Sequence, residues 1–195
     1  MLDRRDFLKK AGLTPLALAS LPGLGGVAWA DDDDDEEGHG YVFQALSVGN
    51  TTADGVVHAV IMGGCGRVDE DHVTGGGAFT HFNNAPTAPT PKPILFTGTW
   101  EARRLLSFST IGSFGRLVAG ILEARIRLFP EGAGRLKATL KVVCNIGPGG
   151  LSTGQDEGFF LTVNGSPPFG VFKPLVPPLG LTIFTQPEED DDDDD

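Results

Sequence analysis

The chain has 195 residues with 28 glycines, 14 prolines and two cysteines, enough for one turn-rich domain with a real core. Its formal charge of -11 belongs to two runs, Asp31–Glu37 and Glu188–Asp195, which hold 15 of the 26 acids. Between Gly38 and Pro187 nine acids face eleven bases. That balance excludes a halophile-type acidic surface, and its basic excess is too small for nucleic-acid binding.

The first 30 residues read MLDRRDFLKKAGLTPLALASLPGLGGVAWA. Arg4-Arg5 followed by Phe7-Leu8-Lys9, a weakly apolar stretch and Ala28-x-Ala30 closely resemble a twin-arginine export signal. Asp3 stands where that motif usually has Ser or Thr. The resemblance implies export to the periplasm or the outside and cleavage after Ala30. It also implies a route that carries folded proteins, often ones already holding a cofactor. The apolar stretch is broken by Pro15, Pro22 and glycines, so it is too short to anchor the chain, and no membrane span is expected after cleavage. Residues 31–40 read as a solvated acidic linker and 188–195 as a matching acidic tail, because adjacent like charges repel and bury nothing. An ordered calcium site needs spaced ligands and a glycine turn. Weak association of divalent cations with the two runs is therefore the extent of the expectation.

The folded body is placed at 41–187. Tyr41–Val48 is a first strand, Gly49–Gly55 a turn, and Val56–Met62 a second strand interrupted by Gly63-Gly64-Cys65-Gly66, where a bulge or tight crossing is expected. That glycine run has neither a GxGxxG nor a Walker lysine, so it is no phosphate loop. His72–Phe82 is a third strand, Asn83–Pro93 a proline-rich loop, and Ile94–Phe108 one long bent strand or two. The centre of the chain is clearest. Leu122, Ala124, Ile126 and Leu128 alternate with Glu123, Arg125 and Arg127. After the turn residues Phe129–Gly134, Leu136, Ala138, Leu140, Val142 and Cys144 alternate with Lys137, Thr139, Lys141 and Val143. Period two on both sides of a turn predicts a β-hairpin with one buried face. A glycine-rich loop at 147–157, a strand at 158–163, a proline-rich crossing at 166–178 and a last strand at 179–185 complete the reading. The expected fold is all-β, an antiparallel β-sandwich or β-barrel of about eight strands behind a signal segment. It resembles small exported bacterial β-proteins of no known role, a likeness that brings no activity with it.

The chemistry-bearing residues are few. Cys65 and Cys144, in a protein taken to an oxidising compartment, predict one disulfide. His39, His58, His72 and His81 form no HxH or HExxH. A copper or zinc site built from His58, His72, His81 and a cysteine would need a bulge at Gly75–Gly77 to bring His72 and His81 to one face. No metal and no cofactor are therefore expected. There is no GxSxG elbow, and no pair of carboxylates marked for acid–base work. Arg103, Arg104, Arg125 and Arg127 predict a basic strip, with Glu101 and Glu123 as cross-strand partners. The composition points first to a non-catalytic binding, surface or assembly module whose partner is an unknown protein or a small apolar ligand. The alternative is a small barrel carrier, or a cyclase- or isomerase-type enzyme. Such a protein needs only an apolar cavity with a few polar groups, and His81, Trp100 and Glu101 are the candidates to line it.

Overall fold

The computed structural model describes residues 40–53, 56–147, 150–164, 171–176 and 178–186. The export signal with its motif and cleavage residues, the linker acids and the acidic tail lie outside them. Among the described residues nine antiparallel strands make up a single sheet: β1 (Tyr41–Ala53), β2 (Val56–Val68), β3 (Val73–Asn83), β4 (Ile94–Phe114), β5 (Leu117–Pro130), β6 (Leu136–Cys144), β7 (Gly158–Asn164), β8 (Val171–Pro174) and β9 (Gly180–Thr185). The sheet closes on itself, because β1 pairs with β2 on one edge and with β8 and β9 on the other. A barrel removes the free sheet edges that a sandwich leaves exposed.

The closure is uneven. β1 pairs with β9 over Val42–Ser47 and then with β8 at Gly49–Asn50. β5 pairs with β9 at Leu117–Val118 and with β6 from Gly120 onward. One circuit of the wall therefore runs through eight strands, β1 to β8. The other passes from β5 through β9 straight to β1 and has six. Barrel diameter grows with strand number, so the end spanned by β6, β7 and β8 is wide and the end closed by β9 is narrow.

Inward positions follow the pleat. Phe43 and Ala45 face inward on β1, Val60 and Met62 on β2, Leu122 to Leu128 at even numbers on β5, and Ala138 to Val142 likewise on β6. The central hairpin thus has the buried face that its alternation predicts. At the narrow end the interior is filled by rings: Tyr41 lies 5.0 Å from Phe108, and Phe108 5.4 Å from Phe184, edge to face.

Three sequence expectations are corrected. β1 and β2 are each 13 residues long and pair without a break across Gly63–Gly66, so the glycines interrupt nothing. Their reason is space. A Cβ on Gly64 would lie 2.4 Å from the Trp100 ring and from the Gly76 carbonyl oxygen, and one on Gly66 would lie 2.7 Å from the Phe43 ring. The bulges fall instead on β4, which runs 21 residues and carries three register shifts against β5. The extra residues bend that long strand around the barrel. Finally, the proline-rich crossing contains β8, four residues that pair with β7 and β1. Its Pro174 is tolerated because it sits at the strand's last position.

Candidate functional site: an apolar pocket at the wide end

The described residues leave the wide end unfilled. A part-open pocket of about 180 Å³ lies between β2, β3, β4, β5, β6, β7 and β8, with Val60, Phe79, Leu128, Leu161 and Phe172 among its walls. Among the described residues, Phe96, Pro130, Ala133, Leu136 and Val163 complete the apolar lining, and His81 is the one ionisable side chain in it.

His81 is placed by β3, where it stands opposite Val60 on β2 and Phe96 on β4. It is 6% exposed. Its ring stacks on Phe96, centroids 6.0 Å apart and 21° between planes, and meets the edge of Phe172 at 5.8 Å. His58 joins it, with Nδ1 3.0 Å from His81 Nε2. Burial, and behind it the nearby His58, lower the His81 pKa to about 4. At neutral pH the imidazole is accordingly uncharged, which suits an apolar lining.

The other sequence candidates fall elsewhere. Trp100 points inward but sits below the pocket in the packed core, 3% exposed, and its indole N–H donates to the Gly63 carbonyl oxygen at 3.0 Å. Glu101, the next residue along the pleat, faces outward and is ion-paired with Arg103. His72 lies in the β2–β3 turn, and its backbone N–H donates to the Asp69 carboxylate. The imagined His58–His72–His81 ligand set is therefore not assembled: His58 and His81 meet and His72 is at the far end of β3. No group of three or more metal-ligating side chains occurs among the described residues.

The expected Cys65–Cys144 disulfide is not made; both are free thiols. Parity explains it. Cys65 shares the outward face of β2 with Gly63 and Arg67, whereas Cys144 follows Leu140 and Val142 on the inward face of β6. The barrel wall separates them. Cys144 instead donates its S–H to the Thr182 carbonyl oxygen at 3.2 Å, and burial raises its pKa.

The His58–His81 couple went unread in the sequence, although the signal was present. A β2–β3 hairpin turning at Asp69–His72 pairs Val60 with His81 and His58 with Asn83, so His58 and His81 are diagonal neighbours on one face. Fold and site together define a small closed β-barrel with a histidine-bearing apolar pocket at its wide mouth. Comparison with family models, with characterised proteins and with solved structures gives no match.

Proposed function

We propose that the protein is an exported, non-catalytic barrel that binds a small apolar molecule, or the apolar end of a larger one, in its wide-end pocket. The supporting observation is the unfilled apolar volume itself, beside a narrow end packed with rings. Interiors otherwise pack at crystal density, and a void forfeits contacts along its whole lining. An apolar cavity of about 150 Å³ takes up benzene. The pocket's size therefore suits one ring or a short branched chain and is too small to enclose a drug-sized molecule whole. Its neutral histidine adds a polar edge without a charge. Export rests on Arg4-Arg5 and the Ala28-x-Ala30 site, so replacing both arginines with lysine should abolish secretion.

A ligand that binds only the folded state stabilises it in proportion to the logarithm of its concentration over Kd. Saturating toluene or indole should raise the melting temperature, and Val163→Phe, which puts a ring into the pocket, should erase that rise. An unchanged melting temperature across a panel of one-ring compounds would count against the reading.

A second reading, a cyclase- or isomerase-type enzyme, is supported by one feature. A neutral imidazole held against a second histidine beside an apolar pocket is suited to moving a proton. Turnover lost in His81→Gln with ligand binding retained would favour it.

A further inference from the structure

The outer wall of the barrel is electrically one-sided. Along the exterior of β4, β5 and β6 stand Arg103, Arg104, Arg125, Arg127, Lys137 and Lys141, with only Glu101 and Glu123 among them. The register sets two like pairs, Arg104 directly opposite Arg125 and Arg127 directly opposite Lys137, beside two opposite ones, Glu101 with Arg127 and Glu123 with Lys141. Cross-strand pairs of one sign are destabilising. Among the described residues the one ion pair is Arg103 with Glu101. The cross-strand ion pairs expected of Glu101 and Glu123 are not formed among the described residues: the register sets these acids opposite Arg127 and Lys141, but Glu101 pairs with Arg103 on its own strand. A wall built this way calls for an anion from outside the sheet.

The chain carries one close by. β9 delivers Gln186 to the start of β5, where its N–H donates to the Arg116 carbonyl oxygen at 2.9 Å and Arg116 Nη2 donates back at 3.3 Å. Eight consecutive acids, Glu188–Asp195, follow. Nine residues, 187–195, can reach at most about 30 Å. Lys141, opposite Glu123, stands about 20 Å along β5 from Arg116, and the Arg104–Arg125 pair about 30 Å. The alternative path, towards the β2–β3 turn, meets Asp69, Glu70 and Asp71 and is repulsive.

We propose that the acidic run Glu188–Asp195 docks in cis on the basic outer face of β4–β6, neutralising its like-charge pairs. The docking is independent of the pocket and of what the pocket binds.

Zero-length carbodiimide crosslinking of the full chain, followed by peptide mapping, tests it. At low salt, crosslinks from Glu188–Asp195 to Lys141 are expected in the monomer, well above those to Lys92 or Lys173. They should fall about tenfold in 1 M salt, where the screening length is near 3 Å, and likewise in Arg104→Glu/Arg125→Glu. The salt arm needs no variant, so a misfolded double mutant leaves the test intact. Crosslinks carried only by dimers, arising from Asp31–Glu37 instead, spread evenly over all lysines, or insensitive to salt would each overturn the proposal.

Discussion

The two ends of this barrel are made by the same strands and differ in what closes them. At the narrow end β9 spans from β5 to β1, the circuit is short, and Tyr41, Phe108 and Phe184 pack ring against ring with Phe43 buried in the same cluster. At the wide end three strands, β6, β7 and β8, do the work of that one. The circumference is larger, and side chains of ordinary size leave about 180 Å³ unfilled. The difference lies in topology more than in composition, since both ends are lined by phenylalanine and aliphatic residues. A strand count that changes along the axis is enough to produce a solid core and a pocket in one domain.

The largest effect should come from the wall between the two ends. Gly64→Val places carbon atoms onto the Trp100 ring and the Gly76 carbonyl, and the strand ladder leaves neither room to retreat. A loss above about 4 kcal/mol is expected, enough to unfold most of the chain, read as collapse of the denaturant midpoint.

Next comes acid. The fold holds His81 neutral, with its pKa lowered from 6.5 to about 4, while the unfolded chain takes up a proton near pH 6.5. The unfolded state thus binds more protons between those values, so stability present above pH 6.5 is lost as pH falls through 4. The loss is up to about 3 kcal/mol. It belongs to the wide end, and His81→Gln should flatten that part of the pH–stability curve.

A smaller, paired effect separates the ends directly. Val118, 1% exposed, sits in the narrow end, and Val118→Phe should cost about 1–3 kcal/mol by overpacking. The same change at Val163, which lines the pocket, should be tolerated or mildly stabilising. Equal costs at both sites would erase the distinction. The smallest effect is Ser47→Ala. The Ser47 hydroxyl is buried without a hydrogen-bond partner among the described residues, so its removal should gain about 1 kcal/mol in chemical denaturation.

Much of this architecture is legible in the sequence, and the reasons differ by region. The β5–β6 hairpin is plain because one face is buried and the other charged, so alternation survives in residue type. β2 and β3 are harder to read, since glycines at 63, 64, 66, 75, 76 and 77 carry no hydropathy signal. Gly64 admits the Trp100 ring, Gly66 clears the Phe43 ring, and Gly75, Gly76 and Gly77 lie close against neighbouring backbone, contacts that no local pattern records. β8 was hidden among prolines. The pocket was beyond the sequence altogether, because an unfilled volume is set by how strands close, not by which residues line it. His81 was within reach as a candidate. Its partnership with His58 follows only once the β2–β3 register is known.

The most direct test of the contrast between the ends is a titration of the full chain with a one-ring apolar compound such as toluene, followed by methyl and aromatic NMR. Saturable one-to-one binding is expected, with shifts confined to Val60, Phe79, His81, Leu161 and Phe172, and with Phe43, Phe108 and Phe184 unmoved. Absence of saturation, or shifts spread equally to the narrow end, would contradict the account.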